Sequence, residues 1–188
     1  MTRLFVALDL PGFVKQRLTG LCAGVPSARW TRPDQFHITL RFIGEVDRHT
    51  FEEIGQALLD VPFFPFELKL SGVGDYGDRR RTRVLWAGVC PSPELELLHD
   101  RIESTLMRVG LEPDRRNYKP HVSLARLDRP TDDRVRGFLA DHARFAIGPF
   151  DVDGFTLFSS VTASGGPLYR AEAVYPHLDD DLPEEDEP

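Results

Sequence analysis

The chain has 188 residues, 41% of them apolar, which is enough for one core but short for two independent domains. Its formal charge of −7 is misleading, because Asp179 to Pro188 carries seven acids and no base, leaving 23 acids and 23 bases in residues 1–178. No stretch approaches a membrane span, the opening Met1 to Asp9 is too short an apolar run for a signal peptide, and Cys22 and Cys90 form neither a CxxC pair nor a disulfide framework. These features predict a cytoplasmic protein with one bilobal domain over 1–178 and a disordered acidic tail over 179–188.

Taken in chain order, Leu4–Leu8 reads as a buried strand that ends at Asp9-Leu10-Pro11. Pro11 suits the first turn of a helix reaching about Cys22, with Phe13, Val14, Leu18 and Leu21 at helical spacing. Gly24–Pro33 reads as loop, Phe36–Ile43 as a strand ended by Gly44-Glu45-Val46-Asp47, and Thr50–Leu59 as a second helix. Strict alternation makes Phe64–Val73 a half-buried strand, followed by a loop over Gly72–Arg83 and a fully buried strand over Val84–Val89. Ser92–Val109 carries a stripe of Leu95, Leu98, Ile102 and Leu106 and reads as a long helix.

Tyr118–Arg126 is a further strand, and Thr131–His142 a helix capped by Thr131. Phe150–Ser159 and Leu168–Val174 close the chain as strands around the turn Ala163–Pro167. The order is nearly one β-α-β-α-β unit written twice. That predicts two antiparallel sheets flanking a central cleft, with helices outside.

Each half contains the same word, His37-Ile38-Thr39-Leu40 and His121-Val122-Ser123-Leu124. Side chains alternate along a strand, so each copy puts an imidazole and a hydroxyl on one face and two aliphatic residues on the other. Two such strands meeting across a groove surround one small anion with two histidines and two hydroxyls. One imidazole can take a proton while the other gives one, and the hydroxyls can donate to phosphate oxygens as charge builds. That suits phosphodiester chemistry. No carboxylate or cysteine stands at ligand spacing beside either histidine, so no metal is expected.

Arg126, five residues past His121, is the candidate cation, although simple alternation puts it on the opposite pleat and requires a bend at the strand end. Arg79–Arg83 and Arg115–Lys119 form basic runs, the second leading into His121 as an approach for a polyanion. Trp30 and Tyr118 are candidates to stack a base, while Phe42 reads as core. His49, His99, His142 and His177 are assigned no functional role.

These words resemble the paired His-x-Thr/Ser motifs of the 2H phosphoesterase superfamily, in particular its RNA 2′,3′-cyclic phosphodiesterase branch, also called 2′-5′ RNA ligases. The likeness runs through Arg3-Leu4-Phe5-Val6-Ala7, Trp30, Phe36–Gly44, Arg83-Val84-Leu85-Trp86, Lys119–Arg126, and Ser160 through Tyr169. The resemblance implies a bilobal α+β fold with pseudo-twofold symmetry, and hydrolysis of RNA 2′,3′-cyclic phosphate ends to a 2′-phosphate without metal or cofactor, by a monomer. It makes His37 the proton donor and His121 the acceptor, with Thr39, Ser123 and Arg126 on the phosphate. The residues alone leave the donor and acceptor interchangeable. Two alternatives accompany this reading: 2′-5′ ligation as the reverse reaction, and a nucleotide- or RNA-binding module without turnover.

Overall fold

The computed structural model describes residues 1–26, 28–78, 81–128, 132–163 and 166–176. The acidic run, Arg79 and Arg80, the Thr131 cap, the turn at Ser164-Gly165 and His177 lie outside them. The first half of the chain forms β1 (Thr2–Asp9), α1 (Gly12–Thr19), β2 (Ala28–Trp30), a short 3-10 helix (Pro33–Gln35), β3 (His37–Val46), α2 (Arg48–Leu59) and β4 (Phe66–Asp78). The second half forms β5 (Arg81–Val89), α3 (Pro93–Arg108), β6 (His121–Leu127), α4 (Asp132–Asp141), β7 (Ala146–Val152), β8 (Phe155–Ala163) and β9 (Gly166–Tyr175).

All strand pairings among the described residues are antiparallel. The order β7-β4-β5-β6-β3-β1-β8-β9 is a palindrome about the β6–β3 seam, with β2 added beside β6. The two expected sheets are therefore two wings of one sheet, joined where Ile38 pairs with Val122. The symmetry is completed by exchange. β4, from the first half of the chain, belongs to the wing of β5 and β6, and β8, from the second half, belongs to the wing of β1 and β3.

Three expected segments differ. The Gly72–Arg83 segment is not a loop: β4 runs to Asp78 and β5 starts at Arg81, because Val73 through Tyr76 pair with Ala87 through Val84. The single strand expected over Phe150–Ser159 is two. β7 pairs with β4 and β8 with β1, and the chain crosses between wings at Asp153-Gly154. A Cβ on Gly154 would lie 2.5 Å from the Tyr175 carbonyl oxygen, so the crossing needs glycine. The expected Gly24–Pro33 loop also contains β2 and the start of the 3-10 helix.

Helix starts follow from their caps. Asp47 accepts from the Thr50 N–H at 2.8 Å and begins α2 two residues before Thr50, and Ser92 accepts from the Leu95 N–H at 3.2 Å ahead of Pro93. Val14, Leu18, Ile54, Leu58, Leu95, Ile102 and Leu106 are fully buried, in the same core as Ile38 and Val122. Slipping β3 or β6 by one residue would turn Ile38 or Val122 into the groove, at about 1.5–3 kcal/mol for each side chain exposed. This burial fixes which face carries the histidines.

Candidate active site

The seam brings the two words together. Ile38 pairs with Val122, so continuing that antiparallel register by one residue sets His37 across from Ser123 and Thr39 across from His121. Cross-strand neighbours on one face have Cβ atoms roughly 4.5–5.5 Å apart, so the two imidazoles and two hydroxyls form one compact quartet. Each histidine sits diagonal to the other.

The imidazoles are oriented alike. His37 Nδ1 lies 2.7 Å from the Gln35 carbonyl oxygen, and His121 Nδ1 lies 2.8 Å from the Lys119 carbonyl oxygen. A carbonyl only accepts, so Nδ1 donates in both rings and Nε2 is left to exchange protons. Aromatic rings fix the planes. His37 packs on Phe5 at 5.0 Å and edge-on to Tyr169 at 5.4 Å, and His121 packs edge-on to Tyr76 at 5.1 Å with Trp86 at 6.3 Å.

Strand bulges decide what stands beyond the quartet. In β6, Leu85 pairs with Ala125 and Trp86 with Ser123, so Leu124 is an extra residue. In β3, Val6 pairs with Arg41 and Ala7 with Thr39, so Leu40 is the matching extra residue. Each bulge buries two consecutive residues, Leu40 with Arg41 and Leu124 with Ala125, and reverses the alternation after them. The Leu124 carbonyl accepts from the Thr31 N–H at 2.8 Å, which ties the bulge to the end of β2. Arg126 thereby joins the groove face, and the pleat objection to it disappears. Phe42 occupies the corresponding place on β3. It is 36% exposed and lines the groove instead of filling the core.

The groove holds about 660 Å³, and His37, Thr39, Ser123 and Arg126 line it, with His121 just outside that lining. Arg3, Arg29 and Arg32 also line it, without an aspartate or glutamate among the lining residues. Arg32 is bonded to Asp34, whereas Arg3, Arg29 and Arg126 have no carboxylate partner among the described residues. The wall is therefore electropositive inside a chain of negative net charge. Trp30 lines the groove and packs on Phe138 at 5.8 Å.

Tyr118 does not. It is stacked on His99 at 3.9 Å, and its buried hydroxyl has no hydrogen-bond partner among the described residues. Arg116 is paired with Asp114 at 2.7 Å rather than free to meet a polyanion, and the side chains of Arg81 and Arg83 are not among those described. Sequence reading missed Gln35, Phe5 and Tyr76 as supports of the imidazoles, since nothing in strand periodicity marks them.

Against known proteins, the family model "LigT like Phosphoesterase" matches the chain twice, over residues 8–86 and 89–169. The chain belongs to this family. Each match contains one copy of the word, which agrees with the duplicated fold. The RNA 2′,3′-cyclic phosphodiesterase of Archaeoglobus fulgidus is 29% identical over 92% of this chain and 99% of its own length. That of Aeropyrum pernix is 34% identical over 78% and 84%. The crystal structure of E. coli LigT complexed with 3′-AMP superposes with a TM-score of 0.74 at 25% identity, covering 93% of this chain and 97% of that one.

In this LigT-like phosphoesterase the two histidines differ in surroundings. Burial holds the His37 imidazole below its ordinary value, and the charges of His121 and Lys15 act in the same direction, while the Gln35 carbonyl and Asp9 oppose it. The free protein therefore keeps His37 neutral further into acid than an exposed histidine. A titration of His37 by nuclear magnetic resonance should give a midpoint below about 6.5. Phosphate bound in the groove should move it upward. A midpoint at or above the ordinary value in the free protein would contradict the burial argument.

The support under His121 is equally specific. A Cβ on Gly74 would lie 2.2 Å from the Trp86 ring, so β4 must carry glycine there for the indole to lie flat beside Tyr76. Gly74→Ala should cost about 1–3 kcal/mol by overpacking. It should also lower turnover with little change in substrate affinity, measured by thermal melting and steady-state kinetics. An unchanged kcat would show that Trp86 does not position His121.

Proposed function

We propose that this LigT-like phosphoesterase hydrolyses RNA 2′,3′-cyclic phosphate ends to 2′-phosphates, using two histidines and no metal. The seam register carries the reading: it supports two histidines and two hydroxyls sharing one face, with a phosphate bound between them. The names of the relatives and the doubled family match support the substrate class. Among the described residues no group of three His, Cys, Asp or Glu side chains lies close enough to hold a metal ion.

Water attacks phosphorus opposite the 3′ oxygen. His121 Nε2 takes the proton from water, and protonated His37 gives its Nε2 proton to the departing 3′ oxygen as the P–O3′ bond breaks. Thr39 and Ser123 donate hydrogen bonds to the non-bridging oxygens, and Arg126 balances their charge. The lowered affinity of His37 for its proton makes it a stronger acid, and the anionic substrate restores the population of its charged form.

With His37 as donor, the alkaline limb of kcat/KM falls below about 6.5 and the corresponding limb of kcat lies higher. Were His37 the acceptor, the same group would instead set the acidic limb. The reverse reaction, joining a cyclic end to a 5′-hydroxyl through a 2′-5′ bond, uses the same groups, and water favours hydrolysis.

The quartet is complete within one chain, so a monomer suffices. The two free cysteines fit a reducing, cytoplasmic setting. Among the described residues no helix is long and apolar enough to cross a membrane. The test is incubation with 2′,3′-cyclic AMP or a cyclic-ended oligonucleotide, with and without EDTA, and identification of the product. A 2′-phosphate formed equally in both supports the proposal. A 3′-phosphate, or activity abolished by EDTA, would sink it, and binding without turnover would favour a nucleotide-binding module.

A further inference from the structure

The palindromic sheet makes a comparison between the two ends of the groove. Arg126 and Phe42 each stand three pairing steps beyond the Val122–Ile38 pair, in opposite directions along the seam. At about 3.3 Å per step that places them roughly 20 Å apart, with the histidine quartet midway. Where one end has a guanidinium on the strand itself, the other has a ring at the equivalent position. The cation there comes from the neighbouring strand: the Arg3 guanidinium lies over the Phe42 ring, 5.0 Å from its centre.

Arg3 is exposed and has no carboxylate partner among the described residues, and it pairs across β1–β8 with Ser160. Ser160 and Thr162 line the same end of the groove, as does Tyr169, whose hydroxyl feels the charges of both Arg3 and Arg126. An unpaired arginine would ordinarily sample many rotamers. Held on an aromatic face, it presents its donors in a fixed direction, with two hydroxyls beside it.

We propose that Arg3, held on Phe42 and flanked by Ser160 and Thr162, receives the phosphate between the last two nucleotides of the RNA. This rests on the cyclic phosphodiesterase reading and extends it to substrate length. The quartet and Arg126 take the terminal cyclic phosphate, and Arg3 takes the next one along the chain. The groove then selects an oligonucleotide end over a free cyclic mononucleotide, which has no second phosphodiester to offer.

The experiment compares 2′,3′-cyclic AMP with an ApA dinucleotide carrying a 2′,3′-cyclic phosphate, for the wild-type chain, Arg3→Ala and Phe42→Leu. The wild type should favour the dinucleotide. Arg3→Ala should raise KM for the dinucleotide about tenfold, the effect of one charged contact, with kcat unchanged. Its loss on cyclic AMP should be several-fold smaller, because that substrate brings no second phosphodiester to Arg3. The slope of affinity against log salt should fall by about 0.7 for the dinucleotide alone.

Phe42→Leu, which keeps the charge and removes its platform, should fall between wild type and Arg3→Ala on the dinucleotide. Equal losses on both substrates, or none on either, would overturn the subsite. If the wild type turns over neither substrate, the phosphodiesterase reading fails by itself. Anisotropy of a labelled ApA 2′-phosphate, competed by 2′-AMP, then decides the subsite separately. Weakening by Arg3→Ala confined to the dinucleotide supports it, and equal affinity of wild type and variant overturns it.

Discussion

His37→Ala and His121→Ala should each lower kcat on a cyclic-ended RNA by about 10²–10⁴-fold, the worth of one positioned proton-transfer partner. KM should move little, because the hydroxyls and Arg126 still hold the phosphate. The pH dependence separates the two variants. Each should lose one limb of the bell-shaped profile and keep the other, and the limb kept by His121→Ala reports His37. The double variant should fall by less than the product of the single effects, since proton donation and acceptance occur in one step. Retained activity in either single variant would remove the two-histidine mechanism. Loss of the same limb in both would mean that one histidine serves both roles.

The second large effect lies behind the groove. Arg41, only 8% exposed, is bound on three sides: to the Glu103 carboxylate on α3 and to the backbone carbonyls of Phe42 and Glu112. The other Glu103 oxygen accepts from the Asp114 N–H at 2.7 Å, and Asp114 holds Arg116. The Arg116 guanidinium keeps the Asp114 carboxyl at about 2, below the usual carboxylate range. This network joins the bulged end of β3 to the segment that delivers His121.

Arg41→Met keeps most of the volume and leaves Glu103 without its cation, so it should cost about 3–5 kcal/mol. Adding Glu103→Leu should recover much of that, because the uncompensated carboxylate is then gone. Denaturant titration of the wild type, both singles and the double closes the cycle. A single-variant loss under about 1 kcal/mol would show the pair to be solvated rather than structural.

Much of this could be read from residue order. The doubled word put both histidines and both hydroxyls on one face, because period-2 alternation holds inside four residues and burial of Ile38 and Val122 enforces it. The helices followed from apolar stripes and misplaced only their ends, as with Thr19 closing α1 where Cys22 was expected. What failed were inferences carried past the bulges. Alternation counted from His121 puts Arg126 on the wrong face, and counted from His37 it puts Phe42 on the same wrong face. One unpaired leucine in each strand reverses both.

The Gly72–Arg83 segment was misread for a related reason. Its glycines look like loop residues, whereas Gly74 is there to make room for an indole on the next strand. A ring supplied by a neighbouring strand leaves no periodic trace along β4 itself. The single strand expected over Phe150–Ser159 hid the crossing at Asp153-Gly154, which pairing alone reveals.

The exchange of β4 and β8 between wings has a consequence for synthesis. β1 is made long before β8, yet one of its edges is covered only by that strand, with Arg3 facing Ser160 and Ala7 facing Thr156. At about 5–20 residues per second, a ribosome adds the intervening stretch in roughly seven to thirty seconds. Throughout that interval a run of Leu4, Val6 and Leu8 has one unpaired edge, the template on which strands of separate chains associate. The arrangement that brings two histidines from two half-chains to one seam thus leaves the nascent protein open to its neighbours until β8 has been made.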